Sequence, residues 1–377
     1  MRQNRKLLIH LIAAYSLVVL AMTIENNAAL IAISQPELTP TAAPTAGVVP
    51  GWQITTINEV YNPAGQFYTY APSVMVDGEI ERIWTCHNNV EGQIKDHIYY
   101  TERVGDAVVV SRSVLSAGPA GAWDSYHVCD PSVITGEFRY QGQAYSYALF
   151  YLGNDVDASL HNQIGVAFAN DPATDSWVKY PTPVIAYDGH QWGVGQPSAI
   201  SLGGGRVLLF YTKGHDATIT FRQILDLSDM DSGPSYEGEA MSLTNLGLTG
   251  HNGRSDYLNN IDVVFVPQHD RFYVVREQHP YPRDYPNYIG QSLQLVSISA
   301  ERIWRGGGRW TVEGEISPEI TGLARNHNGG IARTPQGTLP DPAVLRIVFS
   351  DSCAASPECV QAEWTYDLWE AIGVLND

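Results

Sequence analysis

The feature that most constrains this chain is a unit that recurs five times after residue 50: a short β-run, a tight turn, then a second β-run rich in aromatic and branched residues. The copies open at Ala71-Pro72-Ser73-Val74, Asp130-Pro131-Ser132-Val133, Gln196-Pro197-Ser198-Ala199, Asp262-Val263-Val264-Phe265 and Asn328-Gly329-Gly330-Ile331. Their first residues lie 59, 66, 66 and 66 positions apart. A near-constant period implies one supersecondary unit repeated, each copy needing its neighbours to complete a core. The first four copies run on into further β-rich sequence, at Ile98 to Val110, Ile164 to Tyr180, Ile219 to Leu225 and Leu293 to Val312. That makes about four strands per copy, the make-up of a propeller blade. The expected fold is therefore all-β: a five-bladed β-propeller with about four antiparallel strands per blade, over residues 51–377. A strand near Trp52 to Val60, beside Trp364 to Val374, would close the ring. No long amphipathic helical pattern competes. The alternative, a β-sandwich or two packed β domains, does not require such a repeat.

Residues 1–34 read as a signal peptide or signal anchor: Arg2, Arg5 and Lys6 precede an apolar run from Leu7 to Met22, and no cysteine follows that could take a lipid. Residues 35–50, rich in Pro, Ala and Thr, read as a flexible linker. Export fits four cysteines paired as Cys86 with Cys129 and Cys353 with Cys359, free buried thiols being the other reading. The formal charge of -18 repels phosphate backbones and anionic lipid, which excludes nucleic acid and leaves the N-terminal anchor as the one membrane link. The expected product is a secreted or extracytoplasmic monomer.

In a propeller the first strand of each blade lines the central channel, and the second returns to the same mouth. The strand starts would bring there Ala71, Asp130, Gln196, Asp262 and Asn328, flanked by Tyr70, His127, Asn260 and His327. The second-strand ends add Cys86-His87-Asn88, Asn154-Asp155, His215-Asp216, Arg276-Glu277 and Asp351. A Cys86 to Cys129 bridge suits this arrangement, joining the first two blades at the mouth. The Pro-rich segment from His279 to Pro286 reads as a loop over it that sets substrate choice.

The run Asp130-Pro131-Ser132-Val133-Ile134, followed by Tyr147-Ala148-Leu149-Phe150-Tyr151-Leu152-Gly153 and Ile164-Gly165-Val166-Ala167-Phe168-Ala169-Asn170-Asp171-Pro172, resembles blade two of the family 43 glycoside hydrolases. It is similar also to their relatives in families 32, 62, 68, 117 and 130. The resemblance implies sugar hydrolysis or transfer by mouth carboxylates: a base or nucleophile on blade one, a supporting Asp on blade two and an acid Glu on blade three. Asp130 falls on the supporting Asp, Ala71 where the blade-one Asp is expected, and Gln196 near the acid Glu.

Glycoside cleavage needs one group to protonate the departing oxygen and another to activate water or attack, so Asp130 alone is not enough. The candidates are Asp262 and Asp130 as electrostatic or base groups and Glu277 as proton donor, with His127 or His327 as substitute donors. Tyr70, His127, Trp192, Gln196, His215, Arg276, His327 and Asn328 are the candidate substrate-binding residues. Each also has a plainer reading: Asp130 as a turn cap, Glu277 in an ion pair with Arg276 or Arg283, the aromatics as packing. No phosphate loop, nucleophile elbow or zinc spacing is present, and no cofactor is expected beyond a calcium ion in the channel. Two functions follow: a glycan-active enzyme with a non-standard acid/base pair, or a silent propeller that binds glycan or protein.

Overall fold

The computed structural model describes residues 51–61, 68–88, 95–156, 160–214, 217–283, 287–352 and 366–376. The leader and linker expected over residues 1–50, the Cys353 to Cys359 pair, and His215 with Asp216 lie outside the described residues.

Five antiparallel sheets of four strands make up the domain. Blade one holds β2 (Tyr68–Asp77), β3 (Ile80–Asn88), β4 (His97–Val104) and β5 (Ala107–Leu115). Blade two holds β6 (His127–Tyr140), β7 (Gln143–Asn154), β8 (Gln163–Ala169) and β9 (Val178–Lys179). Blade three is β10 (Val194–Gly203), β11 (Arg206–Gly214), β12 (Thr218–Asp226) and β13 (Ser235–Ser242). Blade four is β14 (Asp262–Val266), β15 (Arg271–Glu277), β16 (Leu293–Ser299) and β17 (Thr311–Ile316). Blade five joins β18 (Asn326–Ile331), β19 (Val344–Ser352) and β20 (Tyr366–Leu375) to β1 (Trp52–Tyr61) from the other end of the domain. Trp52 pairs with Leu375 and Ile57 with Ala371, so the ring is closed by main-chain hydrogen bonds as the sequence suggested. Among the described residues no helix is long and apolar enough to cross a membrane.

One hydrophobic cluster fills each gap between neighbouring blades. Trp84, Tyr100, Leu149 and Tyr151 lie between blades one and two, and Phe150, Phe168, Leu209 and Tyr211 between two and three. Phe210, Val263, Phe272 and Val274 fill the third gap, and Val264, Tyr273, Ile347 and Phe349 the fourth. Burying such a side chain contributes roughly 1.5–3 kcal/mol, and none of these sets is complete within a single blade. The last gap, between blades five and one, holds the smallest set: Val74, Ile83, Ala332, Val348 and Leu368. Polar contacts supplement it. Arg346 joins Glu81 of blade one to Glu370 of blade five.

A ladder of hydrogen bonds around the channel fixes the blades in register. In blades one to three, the serine two residues beyond the start of the repeat (Ala71, Asp130 or Gln196) accepts a backbone N–H from the inner strand of the next blade. Ser73 accepts from Val133 at 3.1 Å, Ser132 from Ala199 at 2.9 Å and Ser198 from Val263 at 3.0 Å. The fourth rung is Asp262, whose Oδ2 accepts from Ile331 at 2.8 Å. At the fifth seam Gly330 holds this position, and backbone meets backbone: Val76 N–H donates to Arg333 O at 2.7 Å and Arg333 N–H to Val74 O at 3.2 Å.

The close approach at this seam requires glycine, because a Cβ on Gly330 would sit 2.0 Å from the carbonyl oxygen of Pro72. Gly330→Ala is expected to cost about 3 kcal/mol by forcing blades one and five apart. Urea unfolding would measure it. An unchanged midpoint would show that the seam is not held this way.

Candidate active site

The ladder also corrects the count in blade four. Immediately above it, the inner strands of blades one, two, three and five carry a left-handed residue: Ala71, Asp130, Gln196 and Asn328, with φ of 50°, 46°, 56° and 46°. In blade four that conformation belongs to Asn260, with φ of 44°, and not to Asp262. Asp262 thus occupies the serine position, two residues deeper. In the four blades with a full pairing register the residue marks a β-bulge, which turns the chain at the channel mouth and re-aims its polar groups. The left-handed conformation costs a non-glycine residue about 1–2 kcal/mol, less for Asn and Asp, and such strain gathers at functional sites.

Ala71, Asp130, Gln196, Asn260 and Asn328 surround a narrow shaft with Asp262 below them. Both Asp262 oxygens are spent on structure: Oδ1 takes the Ser198 hydroxyl at 2.6 Å and faces Arg333 at 3.3 Å, while Oδ2 takes the Ile331 N–H. Arg333 crosses the channel to donate to the carbonyls of Ala199 and Val263, at 3.1 and 2.9 Å.

Above the shaft opens a cavity of about 440 Å³. Its lining includes Tyr70, His127, Asp130, Trp192, Gln196, Asn260 and His327, all expected at the mouth from the sequence, and also Asn162, Thr218, Tyr257, Asn259, Tyr281 and Tyr288. The indole of Trp192 lies against the main chain of Gly214, where a Cβ would be 2.4 Å from its Nε1. Five aromatic faces amid amides and imidazoles suit a sugar ring, apolar on its C–H faces and polar at its edge.

Arg276 is not among the lining residues. Strand alternation turns it away from Glu277, and its fully buried guanidinium binds Asp256 at 2.6 Å, Gln294 at 2.7 Å and the carbonyl of Thr249 at 2.7 Å. Asp256 also takes His279 Nδ1 at 2.9 Å. Burial alone would raise Asp256, but His279 and Arg276 pull it down to about 2. This cluster anchors the Pro-rich loop that carries Tyr281.

Glu277 is fully buried behind Tyr281 and His327. Its carboxylate accepts the Tyr281 hydroxyl and, at 3.1 Å, the N–H of Asn328. His327 Nδ1 lies 2.5 Å from Glu277 Oε1 and 3.1 Å from the Gly290 nitrogen. The Gly290 N–H donates to that nitrogen, and the imidazole lines the cavity. Burial would raise the Glu277 carboxyl, but the charge and hydrogen bond of His327, with Tyr281 and Asn260, hold it below its ordinary value. An ionised Glu277 suits an electrostatic role, acting through His327, better than the proton-donor role expected of it from the sequence.

Asp130 differs. Desolvation raises its carboxyl to about 6, against the Gln196 N–H and His327 that favour the charged form and with the Glu277 charge adding to the rise. The Cys86–Cys129 disulfide, with Cα atoms 4.8 Å apart, holds its strand to blade one, and the Asp130 N–H meets Cys86 Sγ at 2.9 Å. On the far side Asp96, fully buried, takes the Tyr70 hydroxyl at 2.5 Å. Burial drives Asp96 up to about 7 and His127 down to about 4.

Calcium needs about six to eight oxygen ligands, several of them carboxylate. Around the shaft both Asp262 oxygens are engaged and Asp130 stands alone, so this donor set does not suit calcium. The two candidate ligand groups among the described residues both count the sulfurs of Cys86 or Cys129, which as a disulfide offer no thiolate.

No family model matches the sequence, and no curated protein matches it. Solved structures do match the fold. A thermostable family 43 glycoside hydrolase shares 13% identity at a TM-score of 0.54, covering 85% of this chain and 92% of that one. An α-L-arabinofuranosidase from Podospora anserina, solved with cellotriose, gives 11%, 0.53, 86% and 98% for the same quantities. A family 117 glycoside hydrolase from Zobellia galactanivorans gives 10%, 0.56, 86% and 90%. The chain therefore has the five-bladed architecture of these hydrolases.

Because its folded-state value of about 6 exceeds the unfolded one, Asp130 favours the fold most when protonated, and this contribution is lost as pH rises from about 4 through 6. Asp130→Asn should therefore be more stable than the natural protein by about 1–3 kcal/mol at pH 8, with the gap closing below pH 4. Thermal melts across pH would show it, and a gap independent of pH would contradict the raised Asp130.

Proposed function

We propose that this protein is a glycan-active hydrolase working outside the cytoplasm on an oligo- or polysaccharide, with an acid/base arrangement unlike that of its structural neighbours. The observation that carries this reading is the His327–Glu277 couple on the rim of an aromatic-lined cavity that also holds Asp130. His327, paired with Glu277 and lining the cavity, is the donor that protonates the departing glycosidic oxygen. Asp130, ionised above about pH 6, faces the positive charge that develops at the anomeric carbon. In this scheme a blade-five histidine does the work of the acid expected on blade three, where Gln196 instead donates its N–H to Asp130 and takes the Asn260 N–H at 2.9 Å on its own Oε1. Export follows from the N-terminal segment read above, and the domain acts as a monomer.

Ala71 favours a second reading, a propeller that binds glycan without turnover, because a methyl group stands where a blade-one carboxylate would be. Reducing-sugar assays on arabinan, xylan, fructan and mannosides separate the two. The hydrolytic reading expects turnover on one of them, reduced about 10²–10⁴-fold by His327→Asn while binding persists. Binding to any of them with no turnover by the natural protein supports the silent module instead. In the active case kcat/KM should fall as pH drops through about 6, where Asp130 takes up a proton, and Asp130→Asn should remove most activity.

A further inference from the structure

We propose that Tyr70, coupled to Asp96, is the group that activates the attacking water, filling the role of the carboxylate that blade one lacks at Ala71. The inference rests on the hydrolytic reading above.

Tyr70 lines the cavity and immediately precedes Ala71, the left-handed residue of blade one, so it enters the mouth at the level where blade two presents Asp130. Its hydroxyl donates to Asp96 Oδ2 at 2.5 Å, and the Asp96 side chain is wholly buried. The couple is tied to Asp130: Tyr70 pairs with Cys86 across β2 and β3, and Cys86 is bonded to Cys129, the residue before Asp130. The groups that bear on Asp96 are Tyr70 on β2, Asn88 on β3, and His127 and Asp130 on β6.

His127 does not serve as the base on this side. Its Nδ1 accepts the Asp96 N–H at 3.0 Å, and burial depresses its affinity for a proton. The same two-part device recurs in the lining of this cavity, where Tyr281 donates to buried Glu277. The two couples differ in charge: Glu277 is held ionised by His327, whereas the imidazole beside Asp96, His127 at 3.7 Å, is kept neutral by burial, and Asp96 is raised to about 7, poised to take a proton near neutral pH. A donor couple on blades four and five and an acceptor couple on blade one thus line the same cavity.

The step balances as follows. The water oxygen bonds to the anomeric carbon as the glycosidic C–O bond breaks. The departing oxygen takes a proton from His327, the water gives one to Tyr70 Oη, and the Tyr70 proton passes to Asp96 Oδ2. Solvent then restores both couples.

The test uses 4-nitrophenyl α-L-arabinofuranoside and 4-nitrophenyl β-D-xyloside with the full chain. Tyr70→Phe, which removes a single oxygen, should lower kcat by about 10²-fold or more while KM stays within about threefold. Sodium azide, a nucleophile that needs no deprotonation, should restore turnover and yield a glycosyl azide, with Asp96→Asn behaving alike. A merely structural Tyr70 would not be rescued by azide. Tyr70→Phe at natural activity, or a loss without rescue, overturns the inference alone. A natural protein inert on every sugar tested overturns the hydrolytic reading and this inference with it.

Discussion

Everything at the mouth of this propeller depends on the ladder of hydrogen bonds that runs from blade to blade around the channel. Ser73, Ser132, Ser198 and Asp262 each hold the next inner strand by one backbone N–H. Each bond contributes only about 0.5–1.5 kcal/mol, but leaving one of these buried N–H groups unpaired costs more, so the ladder fixes relative height as well as adding stability. Because the left-handed residues sit two positions above it, their level is fixed in turn. Asp130 and Gln196 thereby meet at one depth, close enough for the Gln196 N–H to bias the Asp130 carboxyl.

Charge is distributed unevenly above that ring. Carboxylates stand at the mouth on three blades, and their surroundings separate them. Glu277 is kept ionised by an imidazole, Asp130 is raised by burial, and Asp96, with a phenol and an amide for partners, is raised further. Groups held at different proton affinities around one cavity are what proton transfer in two directions requires. Two of the three reach the cavity through a tyrosine, which keeps their charge away from bulk water.

Much of this architecture was legible in the sequence because a propeller repeats its cost and its solution in every blade. The 66-residue spacing marked the blades, and placing Cys86 and Cys129 at one mouth anticipated their bridge. Blade four misled by two residues. There Asn260-Ile261 replaces the residue-proline pair of blades one to three, and the apolar run starting at Asp262 drew the count inward; Asn260, a residue type that tolerates the left-handed region, was the available signal. Arg276 and Glu277 could not both face the mouth, since neighbours on a strand point opposite ways. Asp96 was not legible, because its importance comes from a contact 26 residues away in the sequence that no local pattern encodes. Tyr281 was half-legible, in a loop recognised by its prolines but not by the carboxylate behind it.

The most direct measurement of the central claim, that the ring gathers these groups over one sugar site, is a crystal structure of Asp130→Asn with an arabinoxylan oligosaccharide. A sugar ring seated above the shaft, within hydrogen-bond reach of residue 130, His327 and Tyr70 together, is the result this account predicts. An oligosaccharide bound on the outer blade surfaces, with the mouth holding only water, would contradict it.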